Sequence, residues 1–173
     1  FGRLDASVPI IAISRAQASI AARLGIHVAH VIHHGIDVDD VPVGDGLGDE
    51  RGKYLLFLGR ISPDKGVLEA IEIARAAGSR LLVAAKIRST DEIEFYRDVV
   101  APKFGGGIEY VGEVRGADKA RLIGAATALL NPIQWPEPFG LVVIEALAAG
   151  TPVISTRWGA APEIIEHGRT GFL

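Results

Sequence analysis

The sequence predicts an α/β fold in which an open parallel sheet carries helices on both faces. Two observations carry that prediction. Short runs rich in Val, Ile and Leu alternate with helix-period segments almost without a break, and those runs are continuously apolar instead of alternating. A strand covered on both faces has no polar side to show, so continuity marks a buried parallel sheet. In chain order, strands are expected at residues 9–13, 29–32, 54–58, 81–84, 108–111, 128–130 and 153–155. Helices fill the intervals. Ser14 is placed to cap a helix over 15–24. Over 67–77, Val67, Ala70, Ile71 and Ala74 share one face. Ser89 and Glu92 have capping-box spacing before 93–100. Segments 117–125 and 140–149 complete the set, the last ended by Gly150 as a left-handed cap and by Pro152. Alternation of this kind is the Rossmann-like pattern.

Residues 41–52, "VPVGDGLGDERG", break it with four glycines and no hydrophobic period, and read as a linker. Residues 1–40 are then the end of a preceding domain, and 53–173 a domain of its own, incomplete at its C-terminus. The chain opens on Phe1 and contains no methionine, so it reads as a fragment. Composition narrows the class further. An apolar share of 49% and a charged share of 23% suit a globular core that needs no staples. A net charge of −3 offers no field to draw in nucleic acid. The absence of cysteine excludes disulfides and thiolate–metal sites, and fits a reducing, cytoplasmic setting. No apolar run approaches the ~20 residues of a transmembrane helix.

Two loops at the expected carboxyl edge of the sheet could carry chemistry. In "GRISPDKG", residues 59–66, Gly59 permits close backbone approach, while Arg60 and Lys65 bring two cations to a helix N-terminus. With the positive helix end, these make a site for a diphosphate. The plain alternative is a solvated turn around Pro63 and Asp64. The loop is not a Walker sequence, and no G-x-G-x-x-G appears, which argues against an NTPase and against a nicotinamide or flavin cofactor. In "NPIQWPEPFG", residues 131–140, three prolines stiffen the approach to Gly140, after which the amides of Leu141 and Val142 stand exposed. Glu137 precedes them, either as a ligand contact or as a simple partner of the helix dipole. Inside the following helix, every residue from Leu141 to Ala149 is apolar except Glu145. Such a run reads as a helix buried nearly all round, where a carboxylate is expensive without donors. Eight residues apart, Glu137 and Glu145 would lie about 80° out of phase on a helix, so they should meet different parts of one ligand.

"GRISPDKG", "EPFGLVVIEALAAGTPVI" and "GAAPEIIEHGRTGFL", in this order, resemble the donor-binding domain of group-1 (family 4-like) retaining glycosyltransferases of GT-B fold. "IAISRAQ" and "VIHHGID" resemble the end of that family's first, acceptor-binding domain. The resemblance implies transfer of a hexosyl group from a nucleoside diphosphate sugar with retention of configuration, without metal or cofactor. It implies that Glu137 contacts the transferred sugar and that Glu145 accepts the ribose hydroxyls. Arg60 and Lys65 would neutralise the diphosphate, and the amides of Phe139, Gly140, Leu141 and Val142 would hold sugar hydroxyls and phosphate. The acceptor surface, with any peripheral membrane contact, would belong to the upstream domain. A sugar-nucleotide epimerase of the same architecture, a starch- or glycogen-synthase type enzyme and a non-catalytic nucleotide-sugar-binding module remain competing readings.

Two residues depart from the family pattern. Pro138 stands where many relatives have Gly, and His34 where many have Asn; His34 is expected to bear on hinge geometry more than on the donor. The histidines His27, His30, His33 and His34 do not read as a metal site. On an extended segment His27 and His33 would stand ~20 Å apart. Trp135 and Trp158 flank the candidate loops and read as packing anchors.

Overall fold

The computed structural model describes residues 8–173. Near the N-terminus, β1 (Ile11–Ala12) and β2 (His30–Val31) form a two-stranded parallel ladder joined through α1 (Arg15–Arg23). Ser14 caps α1 as its position suggests, its Oγ accepting the Gln17 N–H at 2.9 Å. Both strands are shorter than the apolar runs that announced them. Ile11, Val31 and Ile32 are exposed, so among the described residues no layer covers this face of the ladder.

The remaining strands build one six-stranded sheet: β3 (Leu55–Arg60), β4 (Leu81–Lys86), β5 (Ile108–Gly112), β6 (Ala128–Asn131), β7 (Val153–Ser155) and β8 (Gly171–Phe172). Every pairing is parallel, in the order β5-β4-β3-β6-β7-β8. The helices are α2 (Val67–Ala76), α3 (Thr90–Phe95), α4 (Gly116–Ala125), α5 (Leu141–Ala148) and α6 (Ala161–Ile164). The capping box forms: Ser89 Oγ accepts the Glu92 N–H at 3.2 Å, and Glu92 Oε2 reaches back to the Ser89 N–H. The helix expected over 93–100 instead starts at Thr90 and widens into a π-helical stretch, Tyr96–Val100. α6 and β8 escape a reading by periodicity, because one turn and two residues contain no period.

Adjacent strand residues feed opposite cores, as a doubly covered sheet requires. Leu56, Leu82, Ala84 and Leu129 pack with Val143 and Ala146 of α5 and Ile123 of α4. Phe57, Leu81, Val83 and Leu130 pack with Val67, Ala70, Ile71 and Ala74 of α2. The face assigned to 67–77 from its spacing is therefore the buried one.

Residues 41–52 contain no helix and a single isolated bridge, Asp49 with Gly52. The segment is nonetheless tied down. The N–H of Gly44 donates to Ala149 O at 2.9 Å, that of Gly46 to Gly124 O at 3.0 Å, and that of Gly48 to Ala125 O at 2.9 Å. These carbonyls belong to the last turns of α4 and α5, which have no acceptor role left inside their helices. Glycine is required for the approach: a Cβ on Gly44 would lie 1.9 Å from Gly124 O. The segment is a strap across two helix ends.

Candidate functional site

From β3 the chain proceeds outward to β4 and β5, then returns to the other side of β3 as β6. The strand order therefore reverses between β3 and β6. In open α/β sheets a crevice forms beyond the carboxyl ends of strands at such a point. The two loops singled out from the sequence leave these two strands. They are knitted together: Gln134 N–H donates to Asp64 O at 2.8 Å, and Gly66 fits against Pro132. Gly66 has φ +76°, and a Cβ there would lie 2.0 Å from Pro132 O.

A cleft of ≈ 810 Å³ opens above these strands. Gly59, Arg60, Lys65, Glu137, Phe139, Gly140, Leu141, Val142 and Glu145 all line it. Gly59 and Arg60 are not loop residues as expected. β3 runs on through them, pairing them with Ala85 and Lys86 of β4. The loop is correspondingly short, and a 3₁₀ turn over Pro63–Lys65 presents Lys65.

Neither cation stands alone. Arg60 Nη1 donates to Glu92 Oε1 at 2.9 Å, and its Nη2 lies 3.7 Å from Asp64 Oδ2. Glu92, the capping-box carboxylate, is almost fully buried and so fixes the base of the guanidinium, whose side chain stays 44% exposed toward solvent. Lys65 Nζ donates to Glu137 Oε2, the same oxygen that accepts the Trp135 Nε1–H at 3.2 Å. The ammonium also stands 5.3 Å from the Trp135 ring centroid, a cation–π arrangement. Trp135 thus packs its loop and lines the cleft as well, whereas Trp158 is exposed and outside the cleft lining.

α5 corrects the reading of its own sequence. It is not buried all round: Val143 and Ala146 are buried, while Leu141 is 49% exposed. Its apolar run is continuous because one side packs on the sheet and another, with Leu141 and Val142, faces the cleft. Gly140 precedes the helix at φ 92°, and the amides of Leu141 and Val142 have no acceptor among the described residues. Glu145 is partly accessible, and Lys119 of α4 donates to its Oε1 at 2.6 Å. Nothing in the sequence motifs named Lys119. Glu137 lies in the loop, so the helical phase angle between the two glutamates does not apply. Each pairs with a different lysine instead, Glu137 with Lys65 and Glu145 with Lys119.

The N-terminal ladder reaches this cleft too. Glu163 of α6 accepts the N–H of Arg15 at 2.9 Å and that of Ala16 at 2.7 Å, and its Oε2 lies 3.2 Å from His33 Nε2. Burial raises the Glu163 pKa, but the two amides and His33 outweigh it and hold the carboxyl below its usual range. The rings of His33 and His34 lie 5.8 and 5.3 Å from that of Phe139. His34 lines the cleft itself, so its place is not confined to the hinge.

Sheet order and switch point define a Rossmann-like domain of the kind that forms the C-terminal half of GT-B proteins. The chain belongs to the group 1 glycosyltransferases: the family model "Glycosyl transferases group 1" matches residues 52–173. It is 33% identical over 151 residues to the phosphatidyl-myo-inositol mannosyltransferase of Mycolicibacterium smegmatis, covering 82% of this chain and 38% of that protein. Among solved structures it is similar to AviGT4, a glycosyltransferase involved in avilamycin A biosynthesis, with 34% identity and a TM-score of 0.73 over 90% of this chain and 46% of that one. It is also similar to HepE of Anabaena, solved in complex with UDP-glucose, with 25% identity and a TM-score of 0.78 over 95% of this chain and 49% of that one. The chain therefore spans less than half the length of these relatives. Among the described residues no helix is long and apolar enough to cross a membrane.

Proposed function

We propose that this chain is the donor-binding part of a glycosyltransferase that moves a hexosyl group from a nucleoside diphosphate sugar with retention of configuration. The observation that carries this reading is the convergence of Arg60, Lys65, Glu137, the open α5 amides and Glu145 on one cleft. The chemistry of such a donor matches that set group by group. A diphosphate brings negative charge, which Arg60, Lys65 and the N-terminal amides of α5 can meet. Ribose hydroxyls are donors, and Glu145 is an acceptor-only group. Sugar hydroxyls can donate to Glu137, which stands beside Lys65.

In this reading the protein's main work is to stabilise the departing diphosphate with fixed cations and dipoles, which is electrostatic preorganisation. The diphosphate would insert between ion pairs that already exist. It takes Lys65 over from Glu137 in part, so the carboxylate is released toward the sugar as the ammonium turns to phosphate. Residues 1–40 then form the end of an acceptor-binding domain, and the acceptor surface lies in that domain. Holding an acceptor against the anomeric carbon supplies ~7–11 kcal/mol of a barrier, so the donor part alone should bind without transferring.

The test is titration calorimetry of the chain with UDP, GDP and ADP, followed by transfer assays with and without an acceptor-binding domain joined upstream. Binding of one nucleoside diphosphate without turnover, and turnover with a retained anomer by NMR once the domain is restored, is the expected pair. Persistence of turnover in chelator would fit cations on the protein doing the neutralising. Nucleotide binding with no transfer in the two-domain protein would mark a binding module instead.

A further inference from the structure

We propose that Lys119 is a positioning residue of the donor site, holding Glu145 oriented for the ribose; this rests on the donor reading above. Lys119 is the fourth residue of α4, in its N-terminal turn, and Arg115 is the N-cap. A cation there opposes the positive end of the helix dipole, so the helix gains nothing from it. The ion pair is no better explained by folding stability. Its side chains are 32% and 24% exposed, and pairs this wet contribute little. What the pair does have is a place: both residues line the donor cleft.

The stoichiometry of lone pairs makes the lysine a support, not a competitor. An ionised carboxylate offers about four acceptor positions, and Lys119 occupies one, on Oε1. Three remain for two ribose hydroxyls. A bound nucleotide would also cover Glu145 from water, and a desolvated carboxylate is costly unless a counter-charge stays beside it. Lys119 is that counter-charge, already in place before the ligand arrives. It reaches Glu145 from a neighbouring helix, so the carboxylate is held by an element other than its own.

The role separates from a structural one by analogue and by double mutant. With the nucleoside diphosphate that binds the parent chain most tightly, Lys119→Met should weaken binding roughly five- to thirtyfold. The 2′,3′-dideoxy counterpart should bind parent and variant within about twofold, because it presents no hydroxyl to Glu145. Lys119→Arg should recover most of the loss, and Lys119→Gln, which is polar but uncharged and one bond shorter, should not. In a Glu145→Gln background, Lys119→Met should change affinity by less than about twofold. Equal losses for ribose and dideoxy ligands, or additive losses in the double mutant, would overturn the positioning role while leaving the donor site intact. Absence of nucleoside diphosphate binding by the parent chain would instead overturn the donor reading, and this proposal with it.

Discussion

The cleft holds two lysine–glutamate pairs that differ in how they are built. Lys65 and Glu137 meet between a 3₁₀ turn and a proline-rich loop, under Trp135. Lys119 and Glu145 meet between two packed helices. The first pair depends on irregular backbone that must pass very close to itself, at Gly66 against Pro132. The second depends on ordinary packing of α4 and α5 on the sheet, which many side chains share. One pair is therefore brittle and the other robust, although both line the same cleft.

The largest effect should come from Gly66→Ala. The new Cβ would meet Pro132 O with nowhere to move, and φ +76° is already unfavourable for alanine. The loss should reach ~2–4 kcal/mol, read as a lowered denaturant midpoint. Backbone amide NMR should show shifts clustered at 59–66 and 131–140, with the α4–α5 pair unmoved. Equal disturbance at Lys119 and Glu145 would break the contrast.

Next in size are Arg60→Ala and Lys65→Ala. Each should weaken a nucleoside diphosphate about thirty- to three-hundredfold while changing the nucleoside little, since only the former brings phosphate charge. Lys65→Ala should be the worse, because it also strands the Glu137 carboxylate, whose side chain is only 18% exposed. The comparison is checked by calorimetry on both ligands, and equal losses for the two would remove these residues from phosphate binding.

Glu145→Gln should follow, at roughly ten- to a hundredfold on the ribonucleotide. The fold should barely notice it, and thermal unfolding should move by no more than a few degrees. A large drop in thermal stability would show that the helix–helix pair is as structural as the loop pair, and the distinction would fail.

The smallest effect concerns the Glu163 clasp on α1. Its pKa is lowered in the folded state, so its contribution is complete above the ordinary value of about 4.3 and is lost as pH falls below that. Hydrogen exchange at the Arg15 and Ala16 amides should therefore accelerate, beyond its intrinsic pH trend, on acidification below about pH 4. Exchange in β3 and β4 should not. Glu163→Gln should abolish this acid step and leave the Lys65 and Lys119 pairs in place.

Much of this arrangement was legible in the residues. Continuous apolar runs announced the parallel strands, Ser14 and Ser89 announced two helix starts, and three motifs in register announced the family. The companions of the site residues were not legible. Glu92 and Arg60 are 32 positions apart, and Lys119 and Glu145 are 26 apart, on elements whose proximity only the sheet order creates. A signal for Lys119 did exist in the sequence: a lysine in the first turn of a helix, where the dipole disfavours it. The apolar run around Glu145 misled because hydrophobicity does not distinguish a wall packed on protein from a wall facing a ligand cleft.

The strap carries a practical lesson about where this domain begins. The family match starts at residue 52, yet the N–H groups of Gly44, Gly46 and Gly48 close the open ends of α4 and α5. The contacts that close these helix ends thus begin eight residues before the family match, at 44 against 52. A shortened protein starting at 53 would leave Gly124, Ala125 and Ala149 carbonyls to water and uncover the apolar surface beneath Val41. One starting near 40 would keep that lacing. The chain upstream of the strap is held a second time where Glu163 takes the Arg15 and Ala16 amides and His33, so the path from α1 to Gly48 is pinned to this domain at both ends.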